Sequence, residues 1–257
     1  MVTFCQHALF LIVEFFYQKQ IQKEVEDWQK KMRSHPSFVD NVSKNVQDRI
    51  NRMIPEKVHH VITTTMKQMV KAVLFGSKYT AVKAKTYPTL KEQEEAILNI
   101  IKNYKHTAAV EGGVTGAGGI LMGFVDFPVL LGIKMKLLFD IAVMYGFDVK
   151  DYKERLFILY IFQLAFRSQL HRRKVFKDVE NWPALSQQLP NDINDFDWRP
   201  FQQEYRDHID LAKMAQLIPG IGAVVGVVVN YRLIKKLGYT AMNAYRLRLL
   251  ASNRQLN

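Results

Sequence analysis

Two apolar segments punctuated by glycine, about a hundred residues apart, restrict the possible folds of this chain more than any other feature. The first, AAVEGGVTGAGGILMGFVDFP from Ala108 to Pro128, sets Gly112 and Gly116, then Gly119 and Gly123, four residues apart. Small residues at that spacing fall on one helical face and let a second helix approach closely. The second, MAQLIPGIGAVVGVVVNY from Met214 to Tyr231, is uncharged over eighteen residues, with Pro219 near its start and Gly222 and Gly226 again four apart. Each approaches the roughly twenty residues of a bilayer span. Each is also broken where a simple span is smooth. Asp126 costs about 3 kcal/mol at mid-membrane, and Pro128 and Pro219 interrupt helical bonding. The two segments therefore read as helical hairpins packed on each other, either dipping into a bilayer or closing a tight core. Glycine spacing alone does not separate these two cases.

Elsewhere the apolar period is helical. Phe38, Val42, Val46, Ile50 and Met53 form one stripe that closes before Pro55, which opens the next helix, and Gly76 offers it a left-handed stop. Thr89 with Glu92 reads as a capping box ahead of Leu90, Ile97, Ile101 and Tyr104. Asp151 with Glu154 repeats the pattern before a helix over 152–172, and Gly146 stops one that starts near Pro128. No alternating run is bounded by Asn-Gly or Asp-Gly turns, so a sheet is not expected. The expectation is an all-α protein, a single multi-helix bundle over 18–257. Residues 1–17 precede it as an apolar leader, too short to span a bilayer and without the basic start of a signal peptide. Residues 176–210 form an acidic, irregular insert, whose stretch 176–201 reads as a loop with short helical turns packed by Trp182 and Trp198.

Charge is unevenly spread. The chain is +12 overall, yet 176–210 carry three basic and eight acidic groups, whereas 211–257 carry seven basic groups and none acidic. At 100° per residue, Ile234, Leu237, Ala241, Ala244 and Tyr245 share one face of a helix over 232–248, and Arg232, Lys235, Lys236 and Arg246 share the other. A basic amphipathic helix beside an apolar hairpin suits an anionic membrane surface. Arg248 falls inside the apolar stripe, which calls for an internal acid, Asp126 or Asp140. Arg167, Arg172, Arg173 and Lys174 form a second basic cluster, placed to complement the end of the 152–172 helix or to grip a phosphate or lipid headgroup. No helix-turn-helix or zinc-finger spacing is present, so nucleic acid is not an expected partner.

The residues that would carry chemistry are sparse. Cys5 is the only cysteine, which leaves no disulfide and no thiolate metal site. His59 and His60 are adjacent and face different sides of a helix, so no metal ligand set is read. GVTGAGG lacks the Lys-Ser or Lys-Thr of a phosphate loop and fails GxGxxG at Leu121, which argues against a nucleotide cofactor. There is no GxSxG. A carboxylate set of Asp126, Asp140 and Asp148 competes with capping and turn roles for Asp126 and Asp148. No catalytic residue and no cofactor is assigned.

With AAVEGGVTGAGGILMGFVDFPVLLG, Ile141, Tyr145-Gly146, LIPGIGAVVGVVVN and the tail Ala244, Tyr245, Arg246 and Leu250, the chain resembles the bacterial EcsC family. Trp28, Gln47, Ile50 and IPEKVHHVITT extend the resemblance upstream, to cover roughly 18–252. It implies an accessory or regulatory role beside the ATPase and membrane subunits of an ABC transporter, linked to secretion and the cell envelope, at the cytoplasmic face of the membrane. The function expected is that of a membrane-peripheral helical protein without catalysis that binds anionic lipid. Two alternatives stand beside it. One is a soluble hydrolase of an envelope lipid or phosphorylated substrate, using carboxylates near Asp126 and Asp148 with the Arg167–Lys174 cluster. The other is an interaction module that docks on transporter subunits through the 176–201 loop.

Overall fold

The computed structural model describes residues 2–34, 56–75, 83–116, 119–166, 169–195 and 223–255. These form α1 (Val2–Arg33), α2 (Glu56–Phe75), α3 (Leu90–Gly116), α4 (Gly119–Met144), α5 (Tyr152–Phe166), α6 (Gln169–Glu180), α7 (Trp182–Gln188), a 3-10 turn (Ile193–Asp195) and α8 (Ala223–Gln255). The protein is all-α, with no strand among the described residues. The stripe from Phe38 to Met53, together with Gly76, Arg167, Trp198, Pro219 and Gly222, lies outside the described residues.

α3, α4 and α8 form the long axis of the bundle. α3 and α4 make an antiparallel hairpin through the glycine segment, and α8 packs on both. The α3–α8 register follows three contacts: Arg246 meets Glu94, Gly238 meets Ile101, and Tyr231 meets Lys105. At Gly238 the two helices nearly touch. A Cβ there would stand 2.7 Å from Ile101 Cδ1 and 2.8 Å from its Cγ1, so only glycine fits without displacing a buried isoleucine. α5 is enclosed almost throughout, and its Phe157, Phe162 and Phe166 are fully buried. Each such side chain contributes roughly 1.5–3 kcal/mol of apolar burial.

Several ends follow the sequence signals closely. α4 finishes in a Schellman motif: Gly146 has φ of 86°, its N–H donates to Val143 O at 2.9 Å, and Phe147 N donates to Ala142 O at 3.0 Å. Thr89 Oγ1 accepts from Glu92 N at 3.1 Å. Asp151 Oδ1 accepts from Lys153 N at 2.9 Å, but Glu154 does not complete a box, because its side chain turns into the core.

Other boundaries differ. α4 begins at Gly119 and takes Pro128 into its interior, so Asp126 lies within a helix and does not cap one. The helix expected over 152–172 is described as α5 to Phe166 and α6 from Gln169, which runs on to Glu180; residues 167–168 between them lie outside the described residues. Helix α6 continues to Glu180, so Arg172, Arg173 and Lys174 do not sit at a helix C-terminus and do not complement its dipole there. Arg172 Nη2 donates instead to Lys31 O at 3.4 Å, one of the last four carbonyls of α1, which lack helical donors. The 176–201 stretch is helical to Glu180 and again over α7, and Trp182 is buried on Phe157 and Tyr160 at centroid distances of 5.0 and 5.6 Å.

α1 passes the boundary drawn after Tyr17 without a break and lies across the bundle. Its C-terminal half docks on α6 through Trp28 edge-on to Phe176 at 5.3 Å, and through Gln29 and Arg33, which both donate to Glu180. Near its middle it covers the last turns of α8. That cover explains the main correction to the helical wheel. Ile234, Leu237, Ala241, Ala244 and Tyr245 are buried as expected, but so is every residue from Ala241 to Arg246, because α1 closes the face assigned to solvent.

Candidate functional site

Where α1, α3, α4, α5 and α8 converge, the core contains two tyrosine–carboxylate–arginine sets side by side. In the first, Glu94 on α3 is fully buried. Tyr145 donates its hydroxyl to Glu94 Oε1 at 2.7 Å, and Tyr17 donates to Oε2 at 2.8 Å. Arg246 completes it as a bidentate fork, Nε to Oε1 at 2.8 Å and Nη2 to Oε2 at 2.5 Å. Arg246 Nη1 reaches on to Glu24 at 2.9 Å. In the second set Tyr245 donates to Glu154 Oε1 at 2.7 Å, and Arg248 Nη1 donates to Glu154 Oε2 at 2.7 Å. The Arg248 guanidinium also lies over Phe147 and Phe157, 3.9 and 4.4 Å from their centroids. Tyr145 and Tyr245 stack at 5.5 Å with planes 23° apart, which joins the two sets.

The electrostatics follow from the burial. Burial, then the negative charge of the bonded carboxylate, raises both tyrosine pKa values well above the ordinary phenol range. Burial also raises the Glu154 carboxyl, and its bonds to Arg248 and Tyr245 only partly offset this. Burial alone would lower Arg246, but its hydrogen bonds to Glu94 and that carboxylate's charge outweigh the loss of solvent and raise it. These groups hold helices distant in sequence to one another, and the arrangement is that of a structural lock.

This geometry places the expected site residues as follows. Arg246 is 7% exposed and committed to Glu94, so it does not belong with the surface cations, a correction caused by the cover from α1. Arg248 has an internal acid, but that acid is Glu154 on α5. Asp140 is bound by Lys136 at 3.0 Å and by the Tyr104 hydroxyl at 2.7 Å. Asp126 sits near the glycine end of α4, and Asp148 caps the turn after the other end, its Oδ1 accepting from Lys150 N at 2.9 Å. A rise of 1.5 Å per residue puts Asp126 about 27 Å from Met144, the end of α4 beside which Asp148 caps its turn, too far for the two to act on one substrate.

Arg232, Lys235 and Lys236 are exposed on α8, with Lys235 near the Tyr239 ring. Lys105 adds to them from α3, its Nζ 3.2 Å from Tyr231 Oη and 4.6 Å from that ring's centroid. Exposed Tyr231 and Tyr239 lie among these cations. Together they form a basic, aromatic collar that starts about 7–10 Å along the helices from Gly112 and Gly226, at Lys105, Tyr231 and Arg232, and runs to about 20 Å at Tyr239. Gly112 and Gly116 end α3, Gly119 and Gly123 begin α4, and Gly226 lies in the second turn of α8. No helix of the described residues is long and apolar enough to cross a membrane, and no group of three His, Cys, Asp or Glu side chains among them is placed to hold a metal ion.

Glu94, Glu154 and Gly238 were missed by sequence reasoning, although the signal for the two acids was present. Glu94 falls four residues after Leu90 and three before Ile97, and Glu154 four before Ile158. Both lie on the apolar stripe of their helix, where an acid requires a partner.

The fold and this centre define a class: an all-α bundle whose helices are locked by buried ion pairs and whose α3 and α8 carry a basic collar on the way to their glycine-bearing ends. The chain belongs to the EcsC protein family, which it matches over residues 19–250. It is 44% identical to protein EcsC of Bacillus subtilis (strain 168) over 231 residues, 90% of this chain and 95% of that one. It is 26% identical over 248 residues to the uncharacterized protein YdbA of the same organism, 88% of this chain and 90% of that one. No solved structure matches it.

Proposed function

We propose that this protein is a non-catalytic accessory protein that works at the inner face of the cell membrane beside an ABC transporter, held to anionic lipid by its glycine-hairpin end. The collar carries this proposal. Lys105, Arg232, Lys235 and Lys236 stand with Tyr231 and Tyr239 on the stretch of α3 and α8 that leads up to the glycine segment, on a chain of net charge +12. Tyrosine suits the headgroup layer, and each cation near an anionic surface contributes about 1 kcal/mol. Seated there, the collar would bring the glycine-bearing ends of α3 and α4 toward the membrane. Membership of the EcsC family supports the transporter association, through the family's link to such a system. The hydrolase alternative loses its candidate carboxylate set to the separation of Asp126 from Asp148.

Flotation with vesicles containing anionic lipid tests the proposal. Binding should weaken with salt and in the triple variant Arg232→Glu, Lys235→Glu, Lys236→Glu. The same variant should keep wild-type stability, because its three side chains are exposed. Failure of the wild-type protein to float at low salt would reject membrane attachment. Unchanged flotation of the triple variant would reject the collar.

A further inference from the structure

At the opposite end of α3 from the glycine hairpin, a cavity of about 380 Å³ opens between α1, the first turn of α3 and the last turns of α8. Its size is that of a small-molecule site. Ile21, Leu90, Leu249 and Leu250 supply apolar wall, and Glu14 and Arg246 supply the charged groups. Arg246 arrives already paired with Glu94 and Glu24, so it offers little to an anion.

Glu14 differs. Its Oε1 accepts from Leu90 N, at the start of α3, and from Gln18 Nε2, each at 3.3 Å. Its Oε2 is enclosed and meets no donor among the described residues. A carboxylate oxygen removed from water without a donor is costly, and a ligand that brings one recovers that cost. Among the described residues, Glu14 and Arg246 line the cavity and Glu24 and Glu94 pair with Arg246 behind it, three negative charges against one positive.

We propose that this cavity binds a primary ammonium group carried on an apolar body, with the Glu14 carboxylate turning to accept from the ammonium and the body lying on Ile21, Leu249 and Leu250. A free alkylamine and an aminophospholipid headgroup share that chemistry. The site is independent of the collar, which recognises anions at the other end of the bundle.

Calorimetric titration of the full chain with octylammonium, octanol and octanoate tests it. Octylammonium binds in preference to the other two and shifts the Leu90 amide resonance. Glu14→Gln retains an acceptor for Leu90 N–H and weakens binding by about tenfold or more. Leu249→Trp, which fills the cavity, removes the binding. Equal affinity for octanol, unchanged affinity in a folded Glu14→Gln protein, or no uptake of octylammonium at millimolar concentration overturns the proposal. Flotation with phosphatidylethanolamine or phosphatidylcholine vesicles, both free of anionic lipid, separates the sources. A preference for phosphatidylethanolamine that Glu14→Gln abolishes assigns the headgroup; octylammonium binding without that preference assigns a free amine.

Discussion

Breaking the Glu94–Arg246 pair tests the account of the bundle core most directly. Glu94 has no exposed surface and takes four hydrogen bonds, two from tyrosine hydroxyls and two from the guanidinium fork. Arg246→Met keeps the length and apolar stem of the side chain but leaves the carboxylate buried with two neutral donors. Removing one partner of such a pair costs about 3–5 kcal/mol, out of a total stability of about 5–15. Glu94→Gln keeps an acceptor for the tyrosines, loses the charge and sets an amide against the fork, for a loss of about 2–3 kcal/mol. The double variant removes both charges, so it should be less destabilised than the sum of the singles by about 2 kcal/mol or more. Urea unfolding followed by circular dichroism supplies all four corners of the cycle. Losses under about 1 kcal/mol in both singles, or additivity within about 0.5 kcal/mol, would mean that Arg246 does not lock the fold. Lys235→Glu is the control. It changes an exposed cation on the same helix and should move stability by no more than about 0.5 kcal/mol.

Three further outcomes follow from the same packing. Tyr145 and Tyr245 are buried and hold their protons in the folded state well above pH 10, while the unfolded chain releases them near pH 10. Their contribution is complete below that pH and falls above it by about 2.7 kcal/mol per pH unit for the pair, so tyrosinate absorbance should appear together with unfolding; gradual ionisation of these two in a still-folded protein refutes their burial. Gly238→Ala gains about 1 kcal/mol of helix propensity but forces a Cβ to within 2.7 Å of Ile101. The overpacking costs about 1–3 kcal/mol, so thermal unfolding should show a net loss that Ile101→Val partly restores, and a variant as stable as wild type would refute the close approach. The pairings 94 with 246, 101 with 238 and 105 with 231, continued along antiparallel helices, set Gly112 level with Gly226. Cysteines at both positions, with Cys5→Ser, should form an intramolecular disulfide that Gly112→Cys with Val229→Cys does not match; equal yields would reject the register.

The elements were legible where local chemistry decides them. Gly146 stops α4, Thr89 and Asp151 cap α3 and α5, and the apolar stripe of α8 is buried from Ile234 to Tyr245. What a single-helix wheel lacks is the identity of the neighbours. Arg246 lies on the polar side of α8 by angle, yet it is buried, because α1 crosses that side; only residues 1–17 of α1 read as a leader before the bundle, and nothing in the sequence places the rest of it against α8. Arg248 was legible as needing an acid, since a cation in an apolar stripe requires one. The choice among acids was not legible, because it depends on which helix lies opposite, and that helix is α5. Gly238 carried no signal, as one glycine in a helix marks a close crossing only when the partner side chain is known.

The two ends of the bundle impose different demands on one sequence. Toward the glycine hairpin α8 exposes Tyr231, Arg232 and Lys235 and α3 adds half-buried Lys105, and 211–257 contain no acid that would neutralise such a surface. Toward the other end the same two helices carry Glu94 and Arg246, where they meet α1, and α8 carries Arg248, where it meets α5. α8 is thus basic throughout, but its cations are spent differently: those near the hairpin face solvent, and those near the lock are neutralised by Glu24, Glu94 and Glu154 from three other helices. A charge reversal in the first group should alter binding with little effect on folding, and one in the second should alter folding before binding can be measured. Arg246→Glu would place a third carboxylate beside Glu94 and Glu24, so its loss of vesicle flotation would come with loss of the folded state, unlike that of the collar variant.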